Sequence, residues 1–288
     1  MSLVNIHPWL ARAQREGWAV GAFNANTLEQ VQAIVKAAQS ESAPALIQIS
    51  HRALLHVGSG NAMLGLRYMA EIGRVAAQSV GVPVGLHLDH ADADEVLLAM
   101  GLGFTSVMFD GGDLAFDANV DETRRLRAIA HDLDICLEAE LGAVPRADAS
   151  GRLDEDVELT RSADAAAFVA ATGVDILAIA LGSVHAVRQK TVTLDLERLR
   201  EIRAAVDVPL VLHGSSGVTD DHIRQGIALG LCKINVATQL SQAFTGSVRD
   251  VLGNAEEIDP RRYLGPARAA MTERVRERMR FLGATGKA

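Results

Sequence analysis

The chain has 288 residues, of which 49% are hydrophobic, 22% are charged and only 4% are aromatic. This length and apolar content suit one large domain over residues 1–288, and no apolar run is long enough to cross a membrane. The formal net charge of −8 argues against nucleic-acid binding, and the N-terminal segment lacks the pattern of a secretory signal, so we expect a cytoplasmic protein.

Eight short apolar runs, rich in Val, Ile and Leu, predict strands that are buried on both faces. In chain order they are Ala19–Asn24, Ala45–Ser50, Pro83–His90, Ser106–Asp110, Ile135–Leu141, Ile176–Leu181, Pro209–His213 and Cys232–Ala237. Helical spacing lies between them, after a capping box of Thr27 and Gln30 and around Glu95–Met100, Glu122–Ala130, Asp164–Ala171, Leu196–Ala205 and Asp220–Ala228. This alternation predicts an α/β protein with a (β/α)8 TIM barrel. A doubly wound open sheet is the alternative, although no G-x-G-x-x-G sequence follows the first strand.

Polar residues fall at or just past the ends of these strands, namely Asn24, Ser50, Asp89, His90, Asp110, Glu140, His185, His213 and Asn235. In a barrel, the carboxyl ends of the strands form the active-site face, where side chains from different strands converge. Three imidazoles with one open coordination position are typical of catalytic zinc, so His90, His185 and His213 predict a metal site. Cobalt, manganese and iron are alternatives at such ligands.

The sequence also predicts roles for the nearby carboxylates and for the remaining histidines. Asp110 and Glu138 are expected to contact the metal ligands, while Glu140 is assigned to the catalytic set or to metal binding. Asp89 directly precedes His90, where a carboxylate serves as a general acid or base, or orients a histidine. The six other histidines are expected to be structural or on the surface: His7, His51, His56, His87, His131 and His222.

A second group of residues predicts a phosphate site. The seventh strand leads into Gly214-Ser215-Ser216-Gly217, and the eighth ends in Asn235-Val236-Ala237-Thr238. Loops after the seventh and eighth strands commonly bind phosphate in barrels, because their amide groups and a helix N-terminus attract an anion.

Several of these motifs resemble the class II, zinc-dependent ketose-bisphosphate aldolases, and the resemblance covers nearly the whole chain in order. They are Gly21-Ala22-Phe23-Asn24, His87-Leu88-Asp89-His90, Ser106-Val107-Met108-Phe109-Asp110, Glu138-Ala139-Glu140-Leu141-Gly142, Leu181-Gly182-Ser183-Val184-His185, Leu212-His213-Gly214-Ser215-Ser216-Gly217, Lys233-Ile234-Asn235-Val236-Ala237-Thr238 and Asp259-Pro260-Arg261. The Asn-Val-Ala-Thr sequence is closer to the tagatose-bisphosphate branch than to the fructose-bisphosphate branch.

The resemblance implies roles for these residues. The three histidines would bind Zn²⁺, and Asp89 would exchange a proton with the hydroxyl at the scissile bond. The phosphate of dihydroxyacetone phosphate would bind to Gly214 to Ser216 and to Asn235 to Thr238. A monovalent cation is a candidate for a second cofactor. Asn24 and Ser50 would line the pocket. Arg261 would reach the distal phosphate across a subunit interface, which implies a homodimer or homotetramer.

Three departures from the family pattern concern the substrate. In the loop after Gly142, Asp148 stands where the family has a catalytic glutamate, and Glu155 is the other candidate. Ala186 replaces a glycine of the phosphate site, and Arg52 follows Ser50 where the family has small residues. Arg52 is either an anion-binding residue or a surface residue.

We therefore expect a metal-dependent aldolase that cleaves a ketose 1,6-bisphosphate or ketose 1-phosphate into dihydroxyacetone phosphate and an aldehyde, which need not be glyceraldehyde 3-phosphate. The alternatives are a phosphosugar lyase or epimerase of the same fold, and a non-catalytic partner subunit. Lys233 is the sole candidate for an imine mechanism, which we do not expect. Cys136 and Cys232 lie in apolar segments and predict buried free thiols.

Overall fold

The computed structural model describes residues 3–142, 144–145, 159–185 and 190–288. Its eight strands are all parallel and form a closed barrel in chain order, which confirms the predicted TIM-barrel fold. Each predicted strand is present, with ends that differ by no more than two residues. The strands are β1 (Val20–Asn24), β2 (Ala45–Ser50), β3 (Val84–Ala91), β4 (Ser106–Phe109), β5 (Cys136–Leu141), β6 (Ile176–Ile179), β7 (Leu210–Leu212) and β8 (Leu231–Val236).

Helices surround the barrel and alternate with the strands. They are α1 (His7–Glu16), α2 (Leu28–Glu41), α3 (His51–Val57), α4 (Ala62–Gln78), α5 (Ala93–Gly101), α6 (Phe116–Asp132), α7 (Ser162–Thr172), α8 (Leu196–Ala205), α9 (Asp220–Ala228), α10 (Thr238–Leu252) and α11 (Pro260–Phe281). Within the described ranges, none of these helices has both the length and the apolar character needed to span a bilayer.

Side-chain caps specify where several helices begin. Thr27 accepts a hydrogen bond from the backbone N–H of Gln30, as the capping box predicts. The reciprocal bond is shifted by one residue, because the Gln30 Oε1 accepts from the backbone N–H of Asn26 at 2.6 Å. Such caps satisfy amide groups that a helix leaves unpaired at its start, so they fix the strand-to-helix turns. Side-chain caps also start six further helices of the described residues, with Ser50, Asn61, Asp92, Asp195, Thr219 and Asp259 as the capping residues.

The interior of the barrel contains a polar layer beneath its carboxyl-terminal mouth. His87, Glu138 and Lys233 come from β3, β5 and β8, and each is fully buried. The Lys233 Nζ lies 2.8 Å from a Glu138 carboxylate oxygen, and His87 Nδ1 lies 2.8 Å from Ser106 Oγ. Buried charges persist only when they are paired, so this layer ties three strands together from the inside.

A bulge in β3 turns two consecutive side chains towards the mouth. In a regular strand, successive residues point to opposite faces. Here the register with β4 shifts between Leu88 and Ala91, and His90 adopts a left-handed backbone conformation with φ of 51°. This conformation is costly for a residue with a side chain, and functional sites are one place where such residues cluster. It allows both Asp89 and His90 to line the same cavity.

Candidate active site

A cavity of about 670 Å³ opens at the carboxyl ends of the strands. This is the face on which barrel enzymes carry their active sites. Residues from the ends of all eight strands, or from the segments that follow them, contribute to its wall. They include Asn24, Gln48, Ser50, Asp89, His90, Asp110, Glu140, His185, Gly214, Ser215, Ser216, Asn235, Ala237 and Thr238.

The three predicted histidine ligands meet at this cavity: His90 and His185 line it, and His213 is fully buried beside them. The nitrogen atoms that His90, His185 and His213 offer lie within 4.8 Å of one another. His90 Nε2 and His213 Nδ1 are 3.1 Å apart, so these two nitrogens face the same point. The structure thus brings together the residues that the sequence predicts as a metal site.

Carboxylates contact two of these imidazole rings on the side that faces away from the other histidines. Asp110 Oδ2 lies 2.7 Å from Nδ1 of His90, and Glu138 Oε1 lies 2.8 Å from Nε2 of His213. Each bond engages the ring nitrogen that points away from the shared centre. A carboxylate in this position fixes the ring orientation and increases its strength as a ligand.

The electrostatics of the centre favour a positive charge. Burial acts to lower the pKa of His90, but the charge of Asp89 and the hydrogen bond with Asp110 raise that pKa to about 10. Burial raises the pKa of Glu140, whereas Lys233 and His213 hold the pKa of Glu138 well below its usual range despite its burial. Three imidazoles surrounded by carboxylates form a donor set that suits a divalent cation such as zinc.

Asp89 is buried at the edge of this centre and is held by an amide. Nδ2 of Asn235 donates to Oδ1 of Asp89 at 3.3 Å, and Oδ1 of the same asparagine accepts from Lys233 at 2.9 Å. Burial acts to raise the pKa of Asp89, but the positive charges of His90, His213 and Lys233 lower it overall. Asp89 is therefore ionised and oriented, as a proton acceptor must be.

The segments after β7 and β8 form the opposite side of the cavity. Gly214 has a φ of 63°, and a Cβ atom there would lie 2.8 Å from the backbone of Val184, so only glycine fits. Ser215 Oγ donates a hydrogen bond to the carbonyl of Asn235, which joins the two segments. Helix α10 begins at Thr238, so its unpaired N–H groups lie beside the cavity. Such an arrangement favours a bound anion.

The remaining predicted site residues lie outside the cavity wall or outside the described residues. Val236 is buried and Glu138 lies beneath the centre, and neither lines the cavity. Arg261 lies at the exposed start of α11, 2.8 Å from Asp259, and outside the cavity of its own chain. Asp148, Glu155 and Ala186 lie outside the described residues.

Sequence reasoning left out several residues that the cavity contains. His51, which we expected to be structural or on the surface, lines the cavity and lies with its Nδ1 2.7 Å from Glu95 Oε1. Asp92 and Asp113 line it as well. Their position shortly after β2, β3 and β4 was the available signal, because those segments must lie at the catalytic face.

Comparison with known proteins supports the same family as the motifs. The model of the class-II fructose-bisphosphate aldolase family matches residues 4–287. A fructose-bisphosphate aldolase from Thermus caldophilus is 38% identical, with 97% of each chain covered. The structure of the YdjI aldolase from Escherichia coli K12 has a TM-score of 0.85 at 31% identity, with 99% of each chain covered. The fructose-bisphosphate aldolase of Campylobacter jejuni has a TM-score of 0.82 at 25% identity, covering 98% of this chain and 95% of that one. The chain belongs to the class II fructose-bisphosphate aldolase family and is therefore a carbon–carbon lyase.

Proposed function

We propose that this enzyme reversibly cleaves a ketose 1,6-bisphosphate of the fructose or tagatose type into dihydroxyacetone phosphate and an aldehyde. The observation that carries the proposal is the convergence of the three histidines at the cavity that Asp89 and the anion-binding segments after β7 and β8 line. Cleavage of a ketose needs a group that removes a hydroxyl proton, stabilisation of the enediolate oxygen, and a site that anchors the phosphate. The described residues offer a candidate for each.

His90, His185 and His213 would hold a single zinc ion, which supplies Lewis-acid stabilisation of the negative charge on oxygen. Cobalt, manganese and iron remain alternatives to zinc at these ligands. Glu140 belongs to the same centre, since its carboxylate lies 3.3 Å from Nδ1 of His213. Because burial raises its pKa, Glu140 is suited to take up a proton or to accept a positive charge beside it.

Asp89 would accept the proton of the hydroxyl at the bond that breaks. Its carboxylate is buried beside His90, and the amide of Asn235 holds one of its oxygens. In the synthetic direction, the same oxygen would return the proton to the new hydroxyl. Lys233 is engaged by Glu138 and Asn235 within the barrel and does not line the cavity, so it is not suited to an imine mechanism.

The phosphate of dihydroxyacetone phosphate would bind to the segment of Gly214 to Ser216 and to the start of α10. Ser216, Asn235 and Thr238 line this side of the cavity. Proton transfer at the enediolate carbon is assigned to Asp148, with Glu155 as the alternative.

Arg261 would complete the distal phosphate site from a neighbouring subunit. Its side chain is 90% exposed, and it does not line the cavity of its own chain. We therefore propose that the enzyme acts as a homodimer or homotetramer. We also propose, from the sequence, that it acts in the cytoplasm.

The test is an assay of the metal-loaded protein on fructose 1,6-bisphosphate and tagatose 1,6-bisphosphate, with and without a chelator. We expect release of dihydroxyacetone phosphate that the chelator abolishes and added zinc restores. The faster of the two epimers identifies the substrate branch. A zinc-loaded protein that cleaves neither bisphosphate nor any ketose 1-phosphate would contradict the proposal. Exchange of a dihydroxyacetone phosphate proton with solvent, without any cleavage, would favour the alternative lyase or epimerase.

A further inference from the structure

The cavity that would bind a doubly phosphorylated sugar is poor in positive side chains. Among the described residues that line it, Arg52 is the only lysine or arginine. Several carboxylates line the same cavity, including Asp92 and Asp113. An anionic ligand is therefore repelled over much of this wall, and Arg52 is the point at which a direct charge-assisted contact is available.

The backbone of Arg52 is anchored on both sides. Ser50, the last residue of β2, caps α3 by accepting a hydrogen bond from the N–H of Ala53 at 3.4 Å. His51 is held by Glu95, whose carboxylate lies 2.7 Å from its ring and is nearly buried. Arg52 itself is exposed. Its guanidinium is thus presented from a fixed first turn of α3, which lowers the entropic cost of binding an anion.

The position of Arg52 in the barrel determines which part of the substrate it meets. Ser50 and Asp89 are direct partners in the pairing of β2 with β3. Arg52 follows Ser50 by two residues, so it lies beyond the proton acceptor Asp89, towards solvent. The anion-binding segments of Gly214 and Thr238 follow β7 and β8 instead. A ketose with one phosphate at those segments and its scissile bond at Asp89 would have its far end on the side of β2 and β3, where α3 begins.

Other carboxylates of the wall have structural partners of their own. Asp110 is bound to His90, and Asp92 caps α5 by accepting from the N–H of Glu95 at 2.9 Å. Within the ranges that the structure describes, Arg52 forms no ion pair. The guanidinium of Arg52 is therefore not engaged by a carboxylate of those ranges and is available to an anionic ligand.

We propose that Arg52 binds an anionic group at the far end of the substrate, the end that leaves as the aldehyde. This inference rests on the proposed aldolase reaction and adds the determinant of its substrate preference. A phosphate and a carboxylate share the chemistry that a guanidinium recognises, since both accept two parallel hydrogen bonds from it. The contact differs from the one assigned to Arg261, because Arg52 belongs to the same chain as the three histidines.

The experiment compares Arg52→Gln and Arg52→Lys with the unchanged enzyme on three substrates. These are fructose 1,6-bisphosphate, fructose 1-phosphate and a ketose 1-phosphate that ends in a carboxylate. Arg67→Gln is the matched control, because Arg67 is an exposed arginine of α4 that does not line the cavity. Exchange of a dihydroxyacetone phosphate proton with solvent is measured for every variant, since that reaction does not involve the far end of the ketose.

We expect Arg52→Gln to lower kcat/KM by roughly 10- to 100-fold for the substrates with an anionic far end, which is the scale of a charge-assisted hydrogen bond. Fructose 1-phosphate cleavage, proton exchange and the Arg67→Gln control should stay within about twofold, and Arg52→Lys should recover part of the loss because it restores the charge. The anionic substrate whose kcat/KM falls more in Arg52→Gln identifies whether Arg52 binds a phosphate or a carboxylate.

Two results would overturn the inference while leaving the proposed function intact. One is an equal loss with fructose 1-phosphate and the bisphosphate, and the other is no loss with any substrate while proton exchange persists. If the unchanged enzyme shows neither exchange nor cleavage, the proposed function itself fails, and this inference fails with it.

Discussion

Nε2 of His213 lies 2.8 Å from Oε1 of Glu138, and both side chains are fully buried. The bond leaves Nδ1 of His213 to face His90 across the centre. Glu138→Gln keeps the shape of the side chain but removes its negative charge. We expect zinc affinity to fall by roughly 10- to 100-fold, as for other residues that orient a metal-binding histidine. Competition with a chelating dye measures this affinity.

Glu71→Gln provides the control for that experiment, because Glu71 is exposed on α4. Its zinc affinity should equal that of the unchanged protein. If Glu138→Gln also bound zinc with full affinity, the hydrogen bond to His213 would have no role in metal binding.

Lys233 contributes to stability through the same carboxylate. Its Nζ lies 2.8 Å from Glu138 and 2.9 Å from Oδ1 of Asn235. Lys233→Met fills the space but leaves the Glu138 carboxylate without its buried cation. Removing one partner of a buried ion pair costs about 3–5 kcal/mol, so we expect the free energy of unfolding to fall by about that amount. Urea denaturation of the metal-free protein measures the change.

Lys36→Met is the matched control, since Lys36 is an exposed residue of α2. It should change the unfolding free energy by less than about 0.5 kcal/mol, as surface substitutions generally do. A Lys233→Met protein as stable as this control would show that the ion pair does not stabilise the fold.

The two cysteines should be unreactive in the folded protein. Burial raises the pKa of the Cys232 thiol to about 12, and it raises the pKa of Cys136 well above its usual value. Only the thiolate reacts with a disulfide reagent, so at pH 8 we expect no labelling of the native protein by Ellman's reagent. Both thiols should react after unfolding in guanidinium chloride. Rapid labelling of a native cysteine would contradict the buried environment.

Most of the fold could be predicted because each strand is a short, nearly continuous run of Val, Ile and Leu. The run predicted over Pro83–His90 is observed as Val84–Ala91, and Ala45–Ser50 is observed without change. Helix α3 was not predicted, because its seven residues are too few to show a clear period. Helices α1, α4 and α10 were not predicted either.

The site could be predicted in its composition but not in its conformation. The strand ends predict His90, His213 and Asp89 at one face, and the structure brings them together there, with His213 buried behind the two residues that line the cavity. The left-handed backbone of His90 was not predictable, because a residue with a side chain adopts it only when the surrounding structure requires it. The arrangement of His51 with Glu95 joins residues 44 positions apart, which local patterns do not reveal.

Asp89 provides the most direct test of the mechanism. Asp89→Asn preserves the size of the side chain, but the amide cannot accept the proton of the substrate hydroxyl. We expect kcat/KM for cleavage of fructose 1,6-bisphosphate to fall by roughly 10²- to 10⁴-fold, the usual contribution of a general base. Zinc content should stay the same, and exchange of a dihydroxyacetone phosphate proton with solvent should persist, because that step does not use Asp89.

Asp113→Asn is the control for this test, because it changes an exposed carboxylate of the same cavity. It should retain cleavage within about threefold. Near-normal cleavage by Asp89→Asn would show that another residue accepts the hydroxyl proton.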